Sequence, residues 1–429
     1  MKRKTLSLLL GILFLVSACA GLFSGCKEKD PYAGIDRSNI FGMDEPVLEV
    51  HSLTSKNEDG SYKHTVEGFS MEITADLLGA LGVKSMRFRI PSGFMISAGQ
   101  YDEDAYEYLK EAIRLLKEAG VELLIGLLDY FPTDTEFRPD SSRSVPRQDD
   151  ENYEDWMQSV YGLCYETCKL FPEISYWEMG NEMNSDNFFH PNGYVSESGS
   201  LQAGEGGFSW DEHVEIYTDY MFNAAKGIHD ANANNKAVMS GLAFTTTSSY
   251  VSIQYYLEDV YDLIKTGGAP TYLSEKERSK DVRDYFDALC WHPYVSQKKL
   301  DETWLEGNND IYQAAIDNGD EGIPVFFTEF GFHDDGDETR EELQIGYMEQ
   351  AYEYMLNDMP YVMACCAFRL YQCQYATTWG GAYQIYWGYF TEPVNGNDGF
   401  APRAKAYALQ KLYGGTGDIE KYAHVYAQP

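Results

Sequence analysis

Apolar and polar positions alternate along most of the chain between two periods. Residues 72–81 and 104–119 carry apolar side chains at helical spacing, with Leu109, Ile113 and Leu116 on one face. Residues 84–90 are strand-like, and 122–128 are almost wholly apolar. The junctions Leu81-Gly82-Val83-Lys84 and Ala119-Gly120-Val121-Glu122 look alike. A glycine closing a helix just before a buried strand is the αβ junction of a parallel sheet. Further strands are predicted at 47–53, 175–179, 237–242, 286–291, 324–328 and 362–368. Helical patterns separate them at 155–170, 211–229, 252–265, 311–318, 340–356 and 401–412. Apolar strands alternating with amphipathic helices predict an α/β fold with a parallel sheet under helices, and eight such units predict a (β/α)8 TIM barrel. No glycine-rich dinucleotide loop follows the first strand, which argues against an open doubly wound sheet. Long polar stretches at 132–152, 190–210 and 372–399 all follow strands. Barrel enzymes build their clefts at that end, so these stretches are expected to be its walls.

The N-terminus follows neither period. Lys2, Arg3 and Lys4 precede an uncharged, Leu-rich run from residue 6 to 16, the layout of a secretory signal. Cys19 follows Val16-Ser17-Ala18, and Cys26 follows Phe23-Ser24-Gly25. Both look like bacterial lipoprotein boxes. Cys19 has the more regular box and Cys26 the better boundary, because charge returns at once after it; the other reading is an uncleaved anchor. On the Cys26 reading, residues 1–25 are the signal peptide, 26–44 a tether and 45–429 one catalytic domain. The body is then expected outside the cytoplasm, held to the membrane by lipid.

Composition narrows the partners. The chain has 68 acidic and 33 basic residues, a formal charge of −35, and loss of the three N-terminal cations takes it to −38. Such a surface repels nucleic acid and anionic lipid, so no nucleic-acid partner is expected and a neutral substrate fits. The cysteines beyond Cys26 and the eight histidines show no metal-ligand spacing, so no metal and no cofactor are expected. Buried thiols are the expected state of those cysteines.

The chemistry concentrates at two strand ends. Trp177-Glu178-Met179-Gly180-Asn181-Glu182 closes the fourth strand, and Thr328-Glu329-Phe330-Gly331 the seventh. Glycosidic cleavage needs two carboxyl groups facing each other across the bond. Arg89-Ile90-Pro91 lies after the second strand and Trp291-His292-Pro293-Tyr294 after the sixth. In this order the motifs, together with residues 402–409, resemble the clan A glycoside hydrolases, the cellulase-, xylosidase- and arabinofuranosidase-like barrels.

The resemblance implies a retaining enzyme acting on a poly- or oligosaccharide, with Glu182 as acid/base and Glu329 as nucleophile. It further implies that Asn181 contacts the sugar 2-hydroxyl, and that Arg89, His292 and Tyr294 line the site. Asp129 and Asn184 are candidate sugar contacts. Many clan members place a Trp after strand eight as a stacking platform, whereas this chain has Tyr371 there, with Trp379 and Trp387 further on. A transglycosylase, or a surface glycan-binding lipoprotein on the same barrel, are the alternatives. Glu178, inside its strand, is expected in a buried structural pair.

Overall fold

The computed structural model describes residues 30–45, 71–91, 94–97, 99–129, 131–132, 135–195, 206–243, 249–294, 300–372, 382–391, 398–423 and 425–426. Two compact units are distinguished. In the first, Met1–Gly34, the described residues form a turn in which Tyr32 N donates to Asp30 Oδ1 at 2.9 Å. Cys19, Cys26 and the predicted signal lie outside the described residues.

The second unit, Ile35–Pro429, is a (β/α)8 barrel. Its strands are β1 (Phe41–Asp44), β2 (Ser85–Ile90), β3 (Leu123–Leu128), β4 (Tyr176–Met179), β5 (Lys236–Val238), β6 (Leu289–Cys290), β7 (Val325–Phe330) and β8 (Val362–Phe368). The helices that follow them are α1 (Met71–Leu81), α2 (Glu103–Glu118), α3 (Tyr153–Leu170), α4 (Trp210–Ala231), α5 (Ser249–Thr266), α6 (Glu302–Asp317), α7 (Glu338–Asp358) and α8 (Ala404–Tyr413). All strand pairs of the ring are parallel, in the order β5-β4-β3-β2-β1-β8-β7-β6. Bridges between Val238 and Ala288 and between Leu242 and Trp291 join β5 to β6 and close the ring.

Two expectations are corrected. The predicted first strand at 47–53 lies outside the described residues, and β1 is instead Phe41–Asp44, inside the stretch expected to be tether. With only two large apolar residues, this four-residue strand has too little period to read. Its neighbours define it: Cys365 N donates to Ile40 O at 2.9 Å, and Lys84 N to Phe41 O at 2.8 Å. The Arg37 guanidinium donates to the carbonyls of Met355, Leu356 and Val362, so residues 37–44 belong to the barrel wall. The second correction is α6, expected from 311 and observed from Glu302. Gly307, Asn308 and Asn309 are poor helix formers. Tertiary contacts override them: Asp301 caps the helix through Thr303 N at 3.0 Å, and buried Asn308 Oδ1 accepts from Trp291 Nε1 at 2.7 Å.

The helices pack apolar faces on the ring. In α2, Ala105, Leu109, Ala112, Ile113 and Leu116 are buried, and Asp102 caps Ala105 N at 3.0 Å. Cys164, Cys168, Cys290, Cys365 and Cys366 are free and buried, and Cys373 lies outside the described residues. Among the described residues no helix is long and apolar enough to cross a membrane. The loops after β3 and β4 tie to each other, Val145 N donating to His190 O at 2.9 Å and Gly193 N to Asp140 Oδ2 at 2.6 Å, and Arg147 pairs with Glu212 in the first turn of α4 at 2.7 Å.

Candidate active site

Parallel strands bring Asp44, Arg89, Asp129, Glu182, His292 and Glu329 to one end of the ring. Arg87 and Arg89 are two apart on β2 and so share a face. Asp44 is the register partner of Arg87 on β1, and Glu178 lies two strands away on β4. Arg87 is buried and grips Glu178 with both arms, Nε to Oε2 at 2.7 Å and Nη2 to Oε1 at 2.6 Å. It also donates to Asn181 Oδ1 at 2.7 Å, to Asp44 Oδ2 at 3.3 Å and to Glu329 Oε1. Glu178 thus occupies the expected buried pair. Arg89 Nη2 reaches the same Glu329 oxygen at 3.2 Å and Asp44 Oδ2 at 3.4 Å.

Glu329 ends β7 among cations. Tyr294 donates to its Oε2 at 2.7 Å, and His292 Nδ1 lies 3.8 Å away. Burial alone pushes a carboxyl up, but His292, Arg87, Arg89 and the Tyr294 hydrogen bond outweigh it and hold Glu329 at about 2. Asp44 shares the two guanidiniums yet is pushed up to about 6, because burial there outweighs Arg89 and Arg87 and the charges of Glu329 and Glu45 add to it. As pH falls, Asp44 therefore takes up a proton before Glu329 does, and Glu329 keeps its charge.

Glu182 is carried differently. The chain leaves β4 through Gly180 (φ 85) and Glu182 (φ 48), both in the left-handed region. A Cβ at Gly180 would overlap the Met183 sulfur, so only glycine fits. A side chain at positive φ is a strained arrangement that functional sites often retain. Glu182 N holds the bend by donating to Gly241 O at 3.1 Å. Its carboxylate Oε1 then lies 2.9 Å from His292 Nδ1. One oxygen of Glu182, one nitrogen of His292 and one oxygen of Glu329 all lie within 4.8 Å of one another. These atom types can ligate a cation, but Arg87 and Arg89 already supply two positive charges to Glu329 and would repel one. No metal role is assigned to them.

The remaining candidates divide. Asn181, Arg89, His292 and Tyr294 join the cluster, and Asp129 Oδ2 stands 3.9 Å from Arg89 Nη1 at its edge. Asn184 does not join: its amide donates to Ala243 O at 2.9 Å and accepts from Ala243 N at 2.8 Å, closing a loop. Tyr371 is also removed from it. The ring is fully buried, and its hydroxyl lies 2.9 Å from Thr74 Oγ1 on α1. Trp379 lies outside the described residues. Trp387 stands beside the cluster, its ring 5.2 Å from that of Tyr294 and 5.6 Å from Phe368. Lys405 in the 402–409 motif holds it there, donating to the carbonyls of Tyr386 and Trp387 at 2.9 Å and to Asp334 at 3.0 Å. Arg87 and Asp44 were not foreseen. The spacing of Arg87 and Arg89 was the available signal, since two guanidiniums on one face of a buried strand demand carboxylates.

Fold and cluster together define a (β/α)8 barrel carrying a carboxylate pair at the C-terminal ends of β4 and β7. Solved glycoside hydrolases share that fold. The chain is similar to the family 1 β-glucosidase from Thermotoga maritima, with 13% identity and TM-score 0.53 over 90% of this chain and 99% of that one. It is also similar to a glucosidase from Croceicoccus marinus, with 11% identity and TM-score 0.52 over 89% of this chain and 68% of that one. A family 39 glycoside hydrolase from the gut symbiont Bacteroides cellulosilyticus WH2 matches with 12% identity and TM-score 0.50, over 86% of this chain and 64% of that one. No protein-family model and no curated protein sequence matches the chain.

Proposed function

We propose that this protein is a retaining glycoside hydrolase that cleaves O-glycosidic bonds of a neutral, β-linked poly- or oligosaccharide by double displacement. The observation that carries this reading is the approach of Glu182 and Glu329 oxygens to within 4.8 Å. Retaining enzymes hold their carboxyls about 5–5.5 Å apart, whereas inverting ones need about 6.5–9.5 Å for a water. Glu329 is kept ionised by its cations, which suits it to attack, and Glu182, hydrogen-bonded to His292, is left to hand a proton to the leaving oxygen.

In the first step a Glu329 oxygen attacks the anomeric carbon as the glycosidic bond breaks, and Glu182 gives its proton to the departing oxygen. In the second, Glu182 takes a proton from water, whose oxygen displaces Glu329 from the sugar. Arg87 fixes the Asn181 side chain, leaving its amide nitrogen to meet the sugar 2-hydroxyl. The acidic surface favours a neutral glycan, and the glucosidases among the similar structures make β-glucosides the first substrates to test.

Proton NMR of the first-formed anomer decides the mechanism: the β-anomer is expected from a β-glycan, and the α-anomer would make the second carboxylate a base. A wild type that binds glycans and turns none over would instead favour a binding role. Oligosaccharide lengthening in place of sugar release would favour transglycosylation. Export with a lipid anchor is proposed on the N-terminal pattern alone. A mature N-terminus beginning at neither Cys19 nor Cys26 would count against it.

A further inference from the structure

Behind His292 lies a hydrogen-bonded node that the reaction scheme does not use. Thr328 Oγ1 donates to Glu178 Oε1 at 3.1 Å, and it lies 3.1 Å from His292 Nε2 and 3.1 Å from Cys290 Sγ. All four residues are buried. A hydroxyl has one hydrogen and two lone pairs. Both Glu178 oxygens already accept from Arg87, and Oε1 also accepts from Gly241 N at 3.1 Å, so Glu178 acts here as an acceptor. Turning the Thr328 hydrogen toward His292 would set its lone pairs against that carboxylate. The hydrogen therefore points to Glu178, and the two lone pairs face Cys290 and His292. Burial pushes the Cys290 thiol well up, so the sulfur keeps its hydrogen and donates it. His292 Nε2 must then be an N–H donor.

We infer that Thr328 fixes His292 as the Nε2–H tautomer and thereby obliges the Glu182–His292 hydrogen bond to contain the proton used for leaving-group protonation. The inference rests on the reading of Glu182 as the acid. With Nε2 carrying hydrogen, neutral His292 turns a bare lone pair from Nδ1 toward the Glu182 oxygen 2.9 Å away. A contact that short holds only if one proton lies in it, on the carboxyl or on the ring. Loss of that proton would set a lone pair against a carboxylate. Burial and Arg87 on β2 oppose a proton on the ring, and Glu329 on β7 and Glu182 from the β4 turn outweigh them. From the β5 end Gly241 brings its backbone against the ring, and a Cβ there would overlap the imidazole. Thr328, Glu178 and Cys290 are positioning residues, since none is placed to touch the sugar.

The test compares Thr328→Val with Thr328→Ser on the phenyl and 2,4-dinitrophenyl glycosides of whichever sugar the wild type cleaves. The phenyl compound needs an acid and the dinitrophenyl one does not. Thr328→Val is expected to lower kcat/KM on the phenyl glycoside about tenfold more than on the other, and to move the alkaline limb of the pH profile downward. Thr328→Ser restores both. Equal losses on the two substrates with an unmoved limb would overturn the proposal. Nitrogen-15 NMR of labelled wild type supplies a readout independent of any Thr328 variant, with the His292 signal assigned through His292→Gln. A directly bonded hydrogen on Nε2 is expected, and one on Nδ1 alone would overturn the inference. Glu182→Gln, run beside them, separates the two readings. If it too treats both glycosides alike, the acid role of Glu182 falls. If it separates them and Thr328→Val does not, only the tautomer proposal falls.

Discussion

The ends of β4 and β7 carry the same functional group in opposite settings. Glu329 lies inside a six-residue strand and faces Arg87, Arg89, His292 and Tyr294. Glu182 stands past the end of its strand on a left-handed residue, and among the described residues the side chain that hydrogen-bonds its carboxylate is His292. A cationic cage keeps one carboxyl charged, while the other meets an imidazole 2.9 Å away. On the proposed reading, environment and not residue type divides nucleophile from acid.

Removing Glu329 breaks this comparison most severely. Glu329→Ala should cost on the order of 10^5-fold in kcat, as loss of a nucleophile does. Azide should rescue part of it with inverted stereochemistry, read by NMR of the glycosyl azide. Unrescued residual activity equal to that of wild type would refute the assignment. Glu182→Gln comes next, with an expected loss of about 10^2–10^4-fold on substrates with poor leaving groups and little on activated ones. It should also abolish the alkaline limb of the kcat/KM profile.

The acid limb sharpens the comparison from the other side. Glu329 must be ionised to attack, so activity falls as pH drops through its pKa. With that value held near 2, the limb belongs well below the usual carboxylate range. Arg89→Met removes one cation, which raises the pKa of Glu329 and moves the limb upward by about one unit. A limb that stayed put, or moved down, would show that Arg89 does not share in the cage. The smallest effect is expected at Trp387→Ala, where loss of a stacking ring of about 1 kcal/mol raises KM about fivefold with kcat nearly unchanged.

Much of this comparison is legible in the chain itself. Continuous apolar runs and a helical period of 3.6 residues, with Gly82 and Gly120 at the αβ junctions, carry the barrel, because burial on both faces forces parallel strands to be continuously apolar. Glu182, Glu329, His292, Tyr294 and Arg89 stand in local motifs at strand ends, and local motifs need no third dimension to be read. Other features come only from the fold. β1 is four residues long, and β8 and β2 supply the hydrogen bonds that define it. Asn184 and Tyr371 sit in promising places in the sequence, yet the backbone of Ala243 and the hydroxyl of Thr74 take their polar atoms. Arg87 and Asp44 meet Glu329 across 242 and 285 residues of chain, a proximity that no local period encodes. The sequence by itself determined that Glu182 and Glu329 stand at strand ends. Only the closed ring decided which cations surround each, because strand order and inward alternation set those distances, and those distances decide which carboxyl keeps its charge.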